Sequence, residues 1–245
     1  MAGGEGVWAG LRVAGRADFR MLGGVPDAAR LFIESSTPCA SLALLRGSAM
    51  VHEETFTGDR SHNALLFAPL ERALAVLGTG ESLAEVVIGT GPGSYSGTRV
   101  GIAAGQGVAL VHGCPAIGLS SLVAVRSARP GALAVGDARR GSAWRAGFGE
   151  EPELCSVEEL AEEIRGVLGA GMPVFSLETV GKVGLPGDLA AQVLLEQPTA
   201  ALLAKAWLGF SSEERSNLAA LPVQPAYLRP PHVTEAKGGH PLLRK

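Results

Sequence analysis

The densest group of residues able to do chemistry in this chain is a glycine-rich turn, Gly91-Pro92-Gly93-Ser94-Tyr95-Ser96-Gly97. Backbone N–H groups at a turn entering a helix can cradle an anion, most often a phosphate. The plainer role is steric, with glycines letting the chain bend sharply. No Walker sequence is present, because Arg99 follows Gly97-Thr98 and no Lys-Ser/Thr pair comes next. The glycines alone therefore favour the steric role. Other chemistries fare worse. A zinc peptidase needs two histidines one helical turn apart with a glutamate base. His52, His62, His112, His232 and His240 include no such pair. A serine hydrolase needs Gly-x-Ser-x-Gly, and the centre of Gly93-Ser94-Tyr95-Ser96-Gly97 is tyrosine.

The elements that must position this turn can be read from pattern. Ala84 to Thr90 is apolar and β-branched and predicts a buried strand. A helix follows from Gly97 to His112. Its glycines at 97, 101 and 105 each cost about 1 kcal/mol relative to alanine. One stripe of three implies that another backbone comes close. Val100, Ile102, Ala103, Ala104, Val108, Ala109, Leu110 and Val111 leave the helix apolar nearly all round, so it is either buried or covered by a partner.

Upstream, Leu31 to Ser36, Cys39 to Arg46 and Ala49 to Phe56 predict three strands, the last two joined by a turn at Gly47. A helix from Ser61 to Leu77 follows, capped by Ser61, with Leu65, Leu66, Leu70 and Leu74 on its apolar face and a kink expected at Pro69. Downstream, Pro115 to Ala128 predicts a short strand and then a helix capped at Ser120 or Ser121. Gly131 to Gly149 predicts a hairpin turning at Gly141, and Ser156 to Gly169 an acidic amphipathic helix. A strand at Pro173 to Glu178 and helices near 188–196 and 199–210 complete a second lobe. Two lobes that each open on a strand hairpin suggest an internal duplication.

Composition bounds the function further. The 245 residues are 47% hydrophobic, enough for one large domain or two lobes. With 21 Lys and Arg against 24 Asp and Glu, the net charge of -3 provides no overall field for nucleic acid, so any tRNA is expected to be held by a partner. Cys39, Cys114 and Cys155 are widely spaced and read as reduced thiols of a cytoplasmic protein. No stretch is apolar enough to span a membrane, and Arg12 and Arg16 interrupt any secretory signal. Residues 1–30 read as a flexible extension, with Met21 as an internal candidate start, and residues 231–245 as a disordered tail.

The stretch from Gly91 to Ala109 resembles the signature of the bacterial TsaB (YeaZ) family: Gly91, Pro92, Gly93, Ser94, Tyr95, Ser96, Gly97, Arg99 and Gly101 all fit it. Arg60 and His62, Asp137-Ala138-Arg139, and Pro225-Ala226-Tyr227-Leu228-Arg229 match further family positions. His62 reads first as a packing or capping residue, and Asp137 first as a turn former. The resemblance implies a two-lobed actin-like ATPase (ribonuclease H-like) α/β fold, with mixed sheets flanked by helices. Its lobes would be 31–128 and 129–230. Glu34 stands where the family usually has aspartate. In active actin-like enzymes that acid helps hold metal and phosphate, and the longer side chain here weakens a phosphate role. A nucleotide- or phosphate-facing loop would comprise Glu34, Gly91, Gly93, Ser94, Gly97 and Asp137.

The family's function, as the resemblance implies it, is that of a non-catalytic subunit. It supports a catalytic paralogue, TsaD, which transfers threonylcarbamoyl to the adenosine beside the tRNA anticodon. A TsaE-like ATPase joins at the interface, the chain alone forms homodimers, and tRNA is met only through the complex. No catalytic residue or metal is expected, and no cofactor in isolation, with ATP or ADP placed at the interface with the partner. The partner surface is read as Leu66, Leu70, Leu74, Gly97, Arg99, Gly101, Ala104, Gly105 and Val108. Leucine at 101 or 105 is then expected to leave the fold intact and abolish partner binding. An alternative is an active actin-like ATP-dependent phosphotransferase. The bland alternative for the glycine stripe is packing within its own lobe.

Overall fold

The computed structural model describes residues 28–57, 66–78, 80–139 and 141–228. The cap at Ser61, the Arg60 and His62 positions, Leu65, Arg229, most of the 1–30 extension and the 231–245 tail lie outside the described residues.

Five strands form the first sheet: β1 (Ala29–Glu34), β2 (Cys39–Arg46), β3 (Ala49–Thr57), β4 (Leu83–Gly89) and β5 (Ala116–Leu119), in the order β3-β2-β1-β4-β5. The hairpins pair antiparallel and β1, β4 and β5 run parallel. The second sheet comprises β6 (Leu133–Asp137), β7 (Ala143–Gly147), β8 (Glu153–Cys155), β9 (Val174–Ser176) and β10 (Leu194–Leu195), in the order β10-β9-β6-β7-β8. Adding five to each strand number of the first sheet gives the second, with the same parallel and antiparallel pairings. This is the duplicated, two-lobed α/β arrangement expected from the sequence.

Alternation along the strands divides the first lobe's core into two layers. Leu31, Ile33, Leu42, Leu44, Val86 and Ile88 face α1 (Phe67–Ala75) and α2 (Tyr95–His112). Phe32, Ala43, Leu45, Val87, Ile117 and Leu119 face the other way. With both faces covered, the centres of β1 and β4, Leu31–Ile33 and Val86–Ile88, read as unbroken apolar runs, as buried strands do. The second lobe repeats this: Leu133, Val135 and Val174 pack on α3 (Val157–Gly169) and on Leu189 of the short α4 (Gly187–Ala190). A Ser156/Glu159 capping box opens α3.

Several expectations need correction. The first lobe's second layer is closed by α5 (Ala200–Gly209) and α6 (Ser212–Ala219), which follow the second lobe in sequence. The helix near 199–210 therefore covers the first sheet instead of completing the second lobe. Residues 188–196 give only the four-residue α4, and Leu194–Leu195 pairs in parallel with β9. After β5 there is a single 3-10 turn, Ser121–Val123, capped by Ser120. It stops because the Ala124 carbonyl accepts from the Thr199 N–H at 3.1 Å, a bond to the returning chain in place of a longer helix. Pro69 lies near the start of α1 as described, and the residues before Leu66, on which the expected kink depends, lie outside the described residues.

Trp207 anchors α5. It is fully buried, meets Phe210 edge-to-face, and donates from Nε1 to Glu85 Oε1 at 2.6 Å. That oxygen also accepts from Arg30 Nε at 2.8 Å. Trp207→Ala is expected to cost about 3–5 kcal/mol, the usual range for emptying so large a core position. Urea unfolding monitored by circular dichroism checks this, and a loss below about 1 kcal/mol would mean that α5 is not what closes the sheet.

Candidate functional site: a closed glycine loop and an open helix groove

The glycine loop connects the end of β4 to α2. Three of its N–H groups, and that of Thr98 just beyond it, point to protein acceptors. Gly91 donates to Ser121 Oγ at 3.0 Å and Ser94 to the Ser36 carbonyl at 2.6 Å. Gly97 donates to Ser94 Oγ at 3.2 Å and Thr98 to the Ser94 carbonyl at 3.0 Å. A Cβ on Gly93 would overlap the Ser36 carbonyl oxygen, so glycine is needed for this close approach. The loop thus folds down onto Ser35-Ser36, as the steric reading of its glycines requires, and the donors an anion would use at these four positions are already engaged.

Glu34 sits beneath it, fully buried at the end of β1. Its Oε1 accepts from the Ser36 N–H at 2.7 Å. Oε2 lies against Gly89, on the side where a Cβ would be, near Ser121 Oγ, and has no hydrogen-bond partner. Burial pushes the Glu34 carboxyl above the ordinary carboxylate range, opposed in part by the Ser36 N–H and by the nearby Ser36 and Ser121 hydroxyls. Asp137 is held apart, within the second lobe. Its carboxylate accepts from the Arg139 N–H at 2.7 Å and pairs with the Arg139 guanidinium at 3.2 Å, while Arg139 adopts φ 66°. This is the geometry of a turn-forming aspartate. Among the described residues, no three His, Cys, Asp or Glu side chains are grouped as metal ligands would be.

The two faces of α2 behave oppositely. Gly97, Gly101 and Gly105 are buried and face β1 and β4. A Cβ at 97 would overlap the Ser35 carbonyl oxygen, one at 101 would overlap Ser35 Oγ, and one at 105 would meet Ile88 Cδ1 at 2.5 Å. Ser35 Oγ donates to the Gly97 carbonyl at 2.9 Å, so strand end and helix are directly bonded. The glycine stripe is therefore enclosed within its own lobe, and Gly97, Gly101 and Gly105 do not form an outward surface. The expectation that leucine at 101 or 105 would leave the fold intact is corrected for the same reason.

The outward face is a different set of residues. Phe67, Leu70 and Leu74 of α1, with Val100, Ala103, Ala104, Gly107, Val108, Val111 and His112 of α2, line an open groove of about 590 Å³. Phe67 is 57% exposed, Leu110 83% and Val111 84%. Of the expected surface residues, Leu70, Leu74, Ala104 and Val108 line this groove, whereas Leu66 is buried in the core. Phe67, Ala103, Gly107, Leu110 and Val111 are absent from the partner surface expected from the sequence. Their signal is positional, since they lie on the α2 face opposite the glycine stripe and on the adjoining flank of α1. Arg99 is elsewhere: its guanidinium stacks on Tyr95 at 3.6 Å and donates to Tyr227 Oη at 2.7 Å, tying the 222–228 segment to the start of α2.

Comparison with known proteins bears on this same region. Residues 53–150 match the model of the family described as TsaD, tRNA N6-adenosine threonylcarbamoyltransferase, a stretch holding the glycine loop and both groove helices. The chain is 31% identical over 152 residues to the tRNA threonylcarbamoyladenosine biosynthesis protein TsaB of Escherichia coli, covering 54% of this chain and 64% of that protein. That match thus spans just under two thirds of the relative's length. It is 26% identical over 232 residues to the TsaB of Haemophilus influenzae, covering 81% of this chain and 92% of the relative. Among solved structures, YeaZ from Pseudomonas aeruginosa superposes with a TM-score of 0.59 at 23% identity, over 82% of this chain and all of that one. A second, a P. aeruginosa protein described by its similarity to the peptidase YeaZ, gives 0.56 at 21%, with the same coverage. Both share the fold.

Two outcomes follow from the closed loop. Gly101→Leu is expected to yield insoluble or grossly destabilised protein, and a soluble variant with a wild-type unfolding midpoint would contradict the packing of α2 on Ser35. For Glu34, a folded-state pKa above the unfolded value means that its contribution is fully present below the ordinary carboxylate range. That contribution is lost as pH rises through the folded pKa. The stability difference between wild type and Glu34→Gln should therefore change with pH, moving in favour of glutamine as pH rises. Thermal unfolding of both across a pH series reads it, and a constant difference would mean that Glu34 does not titrate abnormally.

Proposed function

We propose that this chain belongs to the TsaB (YeaZ) family and is a non-catalytic subunit in tRNA threonylcarbamoyladenosine biosynthesis, and that the groove between α1 and α2 receives a TsaD-like catalytic paralogue. The observation that carries the reading is the groove itself, an apolar channel flanked by Phe67, Leu110 and Val111 and left open among the described residues. A protein built on the same duplicated plan would present its own equivalent helix pair, and two such pairs can pack as four helices. The TsaD family match over 53–150 favours a paralogue as that partner. The names of the E. coli and H. influenzae relatives supply the pathway.

Magnitudes fit a real interface only if the whole groove takes part. Full burial of three large apolar side chains gives about 5–9 kcal/mol gross. Association costs about 4–15 kcal/mol before any affinity remains. Phe67, Leu110 and Val111 alone are therefore marginal, and the groove lining must contribute. With a net charge of -3, tRNA is held by the assembly instead of by this chain alone. A TsaE-like ATPase, and any ATP or ADP, are placed at the assembled interface. The closed glycine loop counts against independent phosphotransfer, since a phosphate would have to displace Ser36, Ser94 and Ser121 from its donors.

Gly107→Leu and Val111→Lys test this. A Cβ at Gly107 meets nothing within 4 Å, and Val111 is exposed, so both variants should fold. Lysine near a helix C-terminus also suits the helix dipole. Each is expected to weaken binding of the host's TsaD-like protein at least about tenfold, or 1.4 kcal/mol, by titration calorimetry. Wild-type affinity in both folded variants would place the interface elsewhere.

A further inference from the structure

The buried carboxyl of Glu34 occupies a place in the fold where ligands usually go. Open α/β sheets take ligands in the crevice beyond the carboxyl ends of their parallel strands. In the first lobe those ends are Glu34 of β1, Gly89 of β4 and Leu119 of β5. Glu34 Oε2 reaches across to Gly89 and fills the space that any side chain at 89 would need. Glycine at this strand end is what admits the carboxyl. The 3-10 turn after β5 brings Ser121 to the same point, and Ser121 Oγ accepts from Gly91 at the root of the glycine loop. Ser94 then bonds the loop down onto Ser36. Two buried oxygens beneath it, Glu34 Oε2 and Ser36 Oγ, have no hydrogen-bond partner. The groups packed on the carboxyl, Ser35, Ser36, Gly89 and Ser121, carry no charge.

The geometry points to Glu34 as an internal ligand: its own carboxyl fills the strand-end pocket of the first lobe and closes that pocket to acids and phosphates from solvent. The pocket is a receptor for one small carboxylic acid, with its occupant tethered to β1. Because no cation among the described residues faces it, it suits an uncharged acid better than a phosphate, whose charges would be buried without compensation. The glycine loop stays down because its lid contacts, Ser94 to Ser36 and Gly91 to Ser121, rest on a filled space. This closure makes no use of the helix groove, so either idea can fail while the other stands.

Removing the tether exposes the receptor. Glu34→Ala keeps Cβ and deletes Cγ, Cδ and both oxygens, the heavy atoms of acetic acid. The purified full chain is heated at about pH 5, near the ordinary carboxylate pKa, with sodium acetate, sodium propionate or sodium chloride at equal concentration. Glu34→Ala is expected to unfold at lower temperature than wild type. Acetate well above its dissociation constant should raise its midpoint by about 2–4 °C, while propionate, one carbon too long, and chloride do not. Wild type and Glu34→Gln, in which the pocket remains filled, should respond to none of them, and wild type should not respond to inorganic phosphate. An alanine variant as indifferent to acetate as wild type overturns the proposal, as does a wild type stabilised by acetate or phosphate. If Glu34→Ala is recovered only in aggregates, it is refolded with and without acetate alongside Glu34→Ser. Recovery of either only with acetate supports the internal ligand, and failure of both in either condition overturns it.

Discussion

The backbone of α2 lies directly on the end of β1, and much of the first lobe follows from that contact. Ser35 Oγ bonds the Gly97 carbonyl, and Gly97, Gly101 and Gly105 leave no Cβ between helix and sheet. Three glycines in a helix are unfavourable by about 1 kcal/mol each, a cost offset here by dense packing against Ile33 and Ile88. The approach settles which side of α2 turns outward. Once the stripe faces the sheet, Ala103, Gly107, Leu110 and Val111 must face away, and all but Leu110 line an apolar groove with α1. The same contact pulls the glycine loop onto Ser35-Ser36, closing it as a phosphate cradle. One steric constraint therefore both closes the strand-end pocket and opens the helix surface.

The lobe exchange at the C-terminus reinforces this division. Leu203 and Trp207 of α5, with Phe210 just after it, cover one face of the first sheet, leaving α1 and α2 the other. Arg126 N–H and Ser127 Oγ both bond Glu196, and Thr199 bonds Ala124, so the outgoing and returning crossings between lobes are stitched together. Tyr227 then reaches back to Arg99 at the start of α2. The first lobe is thus assembled from both ends of the described chain, and the groove sits on a support held by non-local contacts.

Much of this was legible in the sequence. The strands β1 to β3 were, because alternation and the Gly47 turn are local signals, and so was α3, whose capping box and apolar stripe agree. The facing of α2 was not, since a helix apolar on nearly every side carries no directional signal, and only the enclosure of each glycine reveals it. Leu194 and Leu195 look helical by composition yet pair with β9, tertiary contact overriding propensity. The placement of α5 on the opposite lobe depends on Trp207 meeting Glu85 across the chain, which no local window contains. Glu34 was legible as unusual, but its burial depends on Gly89 and Ser121, each far from it in sequence.

The central claim is that the outward face of α1 and α2 is where a TsaD-like paralogue lies. Hydrogen–deuterium exchange of the chain, alone and with the host's TsaD-like protein at saturating concentration, tests it most directly. The account predicts slowed exchange concentrated in residues 67–76 and 100–112, with the second lobe's α3 unchanged. Protection centred on the second lobe or on the 3-10 turn at Ser121, with the two groove helices exchanging as in the free chain, would contradict it.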